Sequence, residues 1–286
     1  MKVTNDNNTT KVAQVFLMWD FDAAIGQINS SYPYNYHEEL IYQEINNVET
    51  ILELSSKYEI PMIFSITGFA AEKGIFPFHI PELIKRIYSE GHEIASHSWR
   101  HEWLPFLEID QLFKTLNRSK IALEECIGEK DAVKGFVPPF SRPMTWLKKG
   151  AFSLGDKAIG PAFRCNDIQK IIPVARSLGY KWMRVTYKTL TDRFFKINSA
   201  RSLQRKWTNE NGLACIPNNY VGFDEDAKKV LSLGIKTKRD VIISAHPSGL
   251  TRAGSENIEN FQSFLNFALK ERDKKELQIK LLKDSI

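Results

Sequence analysis

The feature that most constrains the fold of this chain is a repeated alternation of short apolar runs and amphipathic segments. Residues 13–19, AQVFLMW, form a largely apolar run whose length is typical of a strand buried on both faces. Residues 38–58 follow with apolar side chains at steps of four, three and four, which predicts an amphipathic helix. Because the alternation continues along the chain, it predicts an α/β fold in which helices cover a parallel sheet.

The same pattern gives the positions of the remaining elements. Strands are predicted at residues 13–19, 61–67, 92–96, 133–137, 182–187, 213–216 and 241–245. Helices are predicted at residues 38–58, 81–90, 108–127, 168–178 and 224–233. Gly234 is expected to end the last of these helices, and residues 255–283 are expected to be helical throughout. About seven strand–helix units fit either a barrel or a doubly wound sheet.

Composition narrows the class of protein. The chain has 286 residues, and its 39 basic and 34 acidic residues give a net charge of +5 that is spread along the sequence. Without a concentrated basic stripe, nucleic acid is not an expected partner. No apolar run is long enough to span a bilayer, and the polar N-terminus does not resemble a secretory leader. The three cysteines lie far apart, as expected of free thiols in the cytoplasm.

The expected organisation is a single catalytic domain over residues 1–286. Residues 1–12 are polar and rich in asparagine and are expected to be a flexible N-terminus. Residues 255–286 are expected to form a C-terminal helical segment, whose Lys-rich end is either a solvated face or a contact with a membrane or a second subunit. Homo-oligomerisation therefore remains open.

Residues able to carry chemistry follow the predicted strands. Asp20 and Asp22 follow the first strand, His97 and His101 follow the third, and His246 follows the last. The carboxyl ends of parallel strands lie at one edge of a sheet or barrel, where sites of α/β proteins form. We therefore expect these five side chains to lie near one another.

The residue types at these positions indicate a metal site. A four-residue spacing places the imidazoles of His97 and His101 on one side of a helical turn, within reach of one cation. Aspartate is a poor strand residue and is rarely buried without a partner. A role as helix N-cap could explain only one of the two aspartates. A cation explains both, because one aspartate would bind the cation and the other would transfer a proton. His246 fits either a structural role or this site, and its position favours the site.

Four short motifs carry a resemblance to a known family. They are GHEIASHSWRH at 91–101, WDFDA at 19–23, GFVPPF at 135–140 and SAHPSG at 244–249. Their order and approximate spacing, over roughly residues 13–250, resemble those of the polysaccharide deacetylases. That family is also called the NodB-homology family or carbohydrate esterase family four. The aspartate motif has the Asp-x-Asp form rather than the commoner Asp-Asp form.

The resemblance implies a distorted (β/α) barrel of about seven parallel strands with outer helices, and hydrolysis of an N-acyl or related C–N bond. It implies that Asp22, His97 and His101 bind one divalent metal, with Asp20 as catalytic base and His246 as the acid that protonates the leaving amine. Zinc is the first choice for such a ligand set, and cobalt, nickel or manganese could also occupy it.

The chain departs from the family pattern at two motifs. The third motif usually contains an arginine that orients the base, but here that position is Val137, and Arg142 cannot be assigned the role from sequence. The tryptophan-containing fourth motif is not clear, with Trp182 and Arg184 as its candidates. A branch acting on small amides or imides also has Asp-x-Asp and lacks the arginine.

Two long connections, at residues 23–37 and 141–167, are expected to form walls of the substrate site or else packing decoration. His37, in the first of them, is interpreted as a surface residue. The side chains expected to contact substrate are Pro139, Phe140, Trp182 and Tyr34.

Three functions remain open at this point. The first is a metal-dependent hydrolase that removes an N-acyl group, expected to be acetyl, from a small-molecule or carrier-linked sugar substrate. The second is a small-amide or cyclic-imide hydrolase on the same scaffold. The third is a catalytically inactive carbohydrate-binding protein, against which the full set of acid, base and ligand residues argues.

Overall fold

The centre of the protein is a curled, mostly parallel β-sheet with helices on its outer side. The computed structural model describes residues 12–30, 37–104, 107–141, 168–185, 203 and 207–286. The strands of this part are β1 Ala13–Phe21, β2 Ile63–Ile66, β3 Glu93–Ser96, β4 Gly135–Phe136, β5 Trp182–Val185, β6 Thr208–Glu210, β7 Leu213–Pro217, β8 Tyr220–Val221, β9 Val241–Ala245 and β10 Leu277–Ile279.

The strand order is β6-β7-β5-β4-β3-β2-β1-β9-β8, and β10 pairs with the beginning of β1. Within the described residues, β6 and β7 pair antiparallel and the other pairs are parallel. The sheet curls into a half-barrel, which confirms the predicted distorted (β/α) barrel.

The helices of the described part are α1 Ala23–Ser30, α2 Glu38–Tyr58, α3 Pro81–Ser89, α4 Ile109–Ile127, α5 Ile168–Ser177, α6 Glu225–Thr237 and α7 Ile258–Asp273. The spacing of apolar residues explains their packing, because Val48, Ile51 and Leu52 of α2 lie on one face and are fully buried. Helix α4 begins with a capping box between Glu108 and Gln111, which satisfies backbone N–H groups of its first turn.

Side chains of the strands alternate between two apolar clusters. The larger cluster lies between the sheet and the helices and includes Leu17 and Trp19 of β1. A smaller cluster fills the inside of the curled sheet and includes Phe16 and Met18 of the same strand. Since successive side chains of a strand point to opposite faces, Asp20 continues the inner row at the carboxyl end of β1. The strand extends to Phe21, two residues beyond its predicted end, so Asp20 lies within it rather than after it.

The prediction that Gly234 ends a helix is wrong. Helix α6 continues through this residue to Thr237, and its C-cap is Lys238 in the left-handed conformation, with φ of 52°. A Cβ atom on Gly234 would lie 2.3 Å from Cγ2 of Val241, so the glycine allows close contact between the helix and β9.

The C-terminal segment is also not helical throughout. Helix α7 ends at Asp273, and the chain then forms β10, in which Leu277 and Ile279 are buried on either side of the exposed Gln278. This two-residue periodicity is that of a strand, and it was hidden in the sequence by the surrounding lysines.

Residues 1–11 of the predicted flexible N-terminus lie outside the described part of the chain. Among the helices described, none combines the length and the hydropathy needed to cross a bilayer.

Candidate functional site

The inner row of strand residues continues into a polar group at the carboxyl edge of the sheet. Asp20 lies on β1, Ser65 on β2 and Arg184 on β5, while His97 and His246 directly follow β3 and β9. Each of them stands two residues after an inner-face position of its strand, so the two-residue periodicity of the strands brings them together. The structure thus places Asp20, His97 and His246 at one edge, as the sequence predicts.

His97 and His101 converge through a turn, and the prediction that a helical turn joins them is wrong. Residues 98–100 form a turn in which Ser98 has a φ of 65°, and His101 itself has a φ of 62°. Left-handed conformations are unfavourable for residues with a side chain and persist only where surrounding contacts hold them. Here Gly68 and Phe69 donate backbone hydrogen bonds to the carbonyl oxygens of Ser98 and Trp99.

Hydrogen bonds of the two imidazoles leave their Nε2 lone pairs facing Asp22. Nδ1 of His97 donates to the carbonyl oxygen of Val137 at 2.7 Å. Nδ1 of His101 lies 3.2 Å from Oγ of Ser30, whose only proton is donated to the Gly26 carbonyl, so the hydroxyl accepts. The two Nε2 atoms lie 3.3 and 3.4 Å from Oδ1 of Asp22.

This arrangement fits a cation. Oδ1 of Asp22 is buried and has no hydrogen-bond partner within the described part of the chain, although the Nε2 atoms of His97 and His101 lie within 3.4 Å of it. The three ligand atoms lie within 4.8 Å of one another. Buried acceptors without donors are costly, and a divalent ion satisfies all three together. Asp22, His97 and His101 therefore have the chemistry of a metal-binding set with open positions.

Asp20 is held in a separate network by Arg184. The guanidinium forms two hydrogen bonds to the carboxylate, from Nη1 to Oδ1 at 2.8 Å and from Nη2 to Oδ2, and Ser65 Oγ donates a third to Oδ1 at 2.8 Å. Both members of the pair are nearly fully buried. Burial by itself would raise the pKa of Asp20, but the charge and hydrogen bonds of Arg184, together with the charges of His97 and His246, outweigh it and lower the pKa to about 2. Asp20 is therefore ionised at neutral pH.

His246 is held by Glu256. The carboxylate accepts hydrogen bonds from the backbone N–H of His246 at 2.7 Å and from its Nδ1 at 3.2 Å. Nε2 then faces Asp20, 3.9 Å from Oδ2. Burial opposes the charged imidazole, but the hydrogen bond to Glu256 and the charge of Asp20 raise the pKa of His246 to about 9. His246 is therefore protonated at neutral pH and can donate a proton.

A further acid, Glu44 of α2, lies beside this site. Its Oε2 accepts a hydrogen bond from Gln27 Nε2 at 2.7 Å, and its Oε1 is buried without a partner among the described residues. Burial and the charge of Asp22 raise the pKa of Glu44 to about 8. Glu44 thus differs from the nearby Asp22 in being mostly protonated at neutral pH.

A cavity of about 530 Å³ opens beside the polar edge. Its walls come from α1, from the beginning of α2 and from the loop between β9 and α7. They are formed by Asp22, Gln27, Ser30, His37, Leu40, His246, Ser248, Gly249 and residues 252–256. The volume is that of a pocket for one small ligand or one part of a larger one. His37 is exposed, as interpreted from sequence, and also lines this cavity.

The residues predicted to contact substrate have different surroundings. The Phe140 ring lies 4.5 Å from the His101 ring and 4.6 Å from the Trp103 ring, measured between centroids, so it borders the metal ligands. Pro139 begins the short 3₁₀ turn that carries Phe140 and is buried. Tyr34 lies outside the described residues.

The prediction that Trp182 contacts substrate does not fit the structure. Its side chain is fully buried in the inner apolar cluster, and Nε1 donates to Oε1 of Glu93 at 2.8 Å. Trp182 lies two residues before Arg184 on the same face of β5, and it is therefore deeper in the curled sheet than the site.

Sequence reasoning did not identify the partners of Asp20 and His246, which are Arg184 and Glu256. Arg184 was a candidate only for the fourth motif, although its place in the apolar strand WMRV could have signalled a buried charge that needs a carboxylate. Glu256 carries no such signal, because it lies in a polar loop ten residues after His246.

Comparison with protein families shows which family part of the chain is similar to. Residues 41–158 match the family model described as polysaccharide deacetylase. This match covers less than half of the chain, and it supports a relation to the polysaccharide deacetylase, or NodB-homology, superfamily. The matched range contains His97 and His101 and excludes Asp20, Asp22 and His246, whose grouping therefore rests on the geometry above.

Known proteins and structures are distant in sequence. An uncharacterized 30.6 kDa protein of Geobacillus stearothermophilus is 28% identical over 83 residues, which are 29% of this chain and 29% of that protein. A crystal structure from Mycobacterium smegmatis, assigned as a polysaccharide deacetylase, is 17% identical with a TM-score of 0.60 over 95% of this chain and 94% of that one. The structure of Puue allantoinase is 14% identical with a TM-score of 0.62, over 96% and 90% of the respective chains. These likenesses establish the fold.

Proposed function

We propose that this protein is a metal-dependent hydrolase that removes an N-acyl group, acetyl in the first instance, from a sugar-containing substrate. One observation carries the proposal. Three buried acceptor atoms of Asp22, His97 and His101 converge beside an ionised carboxylate and a protonated imidazole. The family match and the fold support hydrolysis at a C–N bond. A free or carrier-linked sugar as substrate and a location in the cytoplasm are parts of the same proposal.

Asp22, His97 and His101 would hold one divalent cation, with zinc as the first choice for one carboxylate and two imidazoles. Such an ion, when bound, polarises the scissile carbonyl and lowers the pKa of water to about 7. The chain contributes the orientation of the ligands, because Val137 and Ser30 fix which nitrogen of each imidazole faces Asp22.

Asp20 would accept the proton of the attacking water. Its ion pair with Arg184 keeps it ionised and fixes both carboxylate oxygens, so that the base does not bind the cation in place of Asp22. The resemblance assigns the orientation of the base to an arginine of the third motif, but Val137 occupies that position here. In this chain Arg184 of β5 has that role. A positioned base of this kind contributes about 10²–10⁴-fold to the rate.

His246 would protonate the leaving amine, which departs poorly as an anion. Glu256 holds Nδ1 of the imidazole, so the proton on Nε2 is the one that faces the reacting groups. Asp20 and His246 have pKa values moved in opposite directions, to about 2 and about 9, and this separation suits one as base and the other as acid.

A second candidate is hydrolysis of a small amide or cyclic imide. Two features favour it: the Asp-x-Asp motif without a third-motif arginine, and a cavity of about 530 Å³, a size that one small molecule fills. The structural likeness to an allantoinase, an enzyme named for a small cyclic substrate, is consistent with this candidate.

The test is a substrate panel with zinc-loaded protein. Acetate release would be measured from N-acetylglucosamine and its short oligomers, and ring opening would be measured with allantoin and succinimide. Acetate release supports the first function, and ring opening without acetate release supports the second. Asp20→Asn protein with the same metal content is the control for adventitious hydrolysis. If fully loaded protein hydrolyses no member of the panel faster than this control, the proposal fails.

A further inference from the structure

The outer part of the cavity carries a positive charge that is not paired in the described part of the chain, although it acts on Glu44 by lowering the pKa of that carboxyl. Arg252 lies in the loop between β9 and α7, lines the cavity and is exposed. Within the described residues, its guanidinium forms no ion pair and donates no hydrogen bond. Arg184, which also faces the site, is by contrast buried and fully engaged by Asp20.

The carboxylates of the cavity wall are already engaged. Glu256 accepts two hydrogen bonds from His246, and Asp22 faces the two metal-ligand imidazoles. Neither forms an ion pair with Arg252. Within the described residues, the cavity therefore has an inner end, where the carboxylates of Asp22 and Glu256 face fixed partners, and an outer end that carries the Arg252 cation. A field of this sign favours an anionic ligand group.

The loop around Arg252 also offers hydrogen-bond donors. The backbone N–H groups of Ala253, Gly254 and Ser255 donate to no acceptor in the described part of the chain, and all three residues line the cavity. Gly254 has a φ of 139°, a conformation that residues with a side chain rarely adopt. Its carbonyl accepts a hydrogen bond from Asn260 Nδ2 at 2.9 Å, which ties this conformation to the first turn of α7. Successive free N–H groups next to a guanidinium are suited to binding oxyanions.

We infer that the outer part of the cavity is an anion-binding subsite, in which Arg252 and the loop 253–255 hold a carboxylate or phosphate group of the amide substrate. This inference rests on the proposed function, because it assumes that the amide lies at the Asp20 and His246 end of the same cavity. The subsite would select substrates whose anionic group is separated from the scissile amide by part of the ligand, such as an acidic or phosphorylated N-acyl sugar.

The test compares three N-acetyl sugars that differ in charge. They are N-acetylglucosamine, N-acetylmuramic acid with a carboxylate, and N-acetylglucosamine 6-phosphate. Binding to the zinc-loaded protein would be measured by titration calorimetry, and acetate release would be followed in the same samples. For a probe that is hydrolysed, the KM from initial rates replaces the dissociation constant.

At least one anionic probe should bind about 10-fold or more tightly than the neutral one, as expected of charge-assisted hydrogen bonds. Arg252→Ala should remove this preference, Arg252→Lys should keep part of it, and rising ionic strength should reduce it. Arg176→Ala is the matched control, because Arg176 is an exposed arginine in the last turn of α5, at the opposite end of the sheet. The anion that binds more tightly identifies the group as carboxylate or phosphate.

Equal affinity for all three probes, or no binding of either anionic probe, would overturn the subsite. An equal loss of affinity for charged and neutral probes in Arg252→Ala would overturn it as well, since that result indicates a structural role. Failure of the proposed function gives a different result, namely charge-selective binding without hydrolysis of any probe.

Discussion

The ion pair between Asp20 and Arg184 gives the most stringent test of the site. Arg184→Met replaces the guanidinium with an apolar side chain of similar length in β5. The Asp20 carboxylate then stays buried, and of the donors described above only the Ser65 hydroxyl still donates a hydrogen bond to it. Asp20→Asn leaves the opposite charge unpaired. We expect each substitution to destabilise the folded protein and the double variant to be less affected than the two single effects combined.

The expected loss of folding stability in Arg184→Met follows from the burial and the pKa of Asp20. Its lowering from 3.8 to about 2 corresponds to about 2–3 kcal/mol of stability, present above pH 3.8 and lost as the pH falls through about 2. Because the unpaired carboxylate also remains desolvated, the full cost at neutral pH is about 3–5 kcal/mol. The coupling in the double-mutant cycle should therefore reach about 2 kcal/mol or more.

The assay is urea unfolding at pH 7, followed by circular dichroism, with metal-free and metal-loaded protein. Arg86→Met is the matched control, because Arg86 is 43% exposed and pairs with Glu49 and Glu90 on the surface. Surface pairs of this kind contribute less than about 1 kcal/mol. If Arg184→Met costs no more than Arg86→Met, or if the two site substitutions are additive within about 0.5 kcal/mol, the reasoning about a buried, mutually dependent pair is refuted.

Three further predictions concern the division of labour in the site. Asp22→Asn should lose most bound zinc by elemental analysis, whereas Asp20→Asn should keep it while kcat falls by about 10² or more; the reverse result would exchange the two roles. His246→Ala should slow hydrolysis of an N-acetyl sugar by about 10²–10⁴-fold but an activated ester of the same acyl group much less, and an equal loss on both would exclude a general acid. Glu256→Gln removes the carboxylate that helps to raise the pKa of His246 to about 9, so the alkaline decline of kcat/KM should move to lower pH; an unchanged profile would count against this pairing.

Much of the fold could be predicted from local patterns. Helix α2 was predicted over residues 38–58 and occupies Glu38–Tyr58, and β9 was predicted at 241–245 and occupies Val241–Ala245. The errors arose where a local signal has more than one meaning. Glycine is typical of a helix end, but Gly234 lies inside α6 and permits contact with Val241. The lysines near the C-terminus suggest a solvated helix and hide the two-residue periodicity of β10.

The sequence by itself determined which residue types stand at the ends of the strands. Asp20, Asp22, His97, His101 and His246 were identifiable because parallel strands bring their carboxyl ends together, and because aspartate and histidine at such positions need a chemical reason. Those features are local and can be seen from the spacing along the chain. The family resemblance came from the same short motifs.

Only the tertiary structure decided the partners of these residues. Arg184 lies 164 positions from Asp20, and their pairing depends on the curl of the sheet, which brings β5 across from β1. Glu256 reaches His246 because the loop before α7 folds back, and Arg252 faces the cavity for the same reason. Such contacts depend on distances across the fold, whereas sequence patterns report only the periodicity of each element. The pKa values of the site depend on those contacts, so its proton chemistry became visible only in three dimensions.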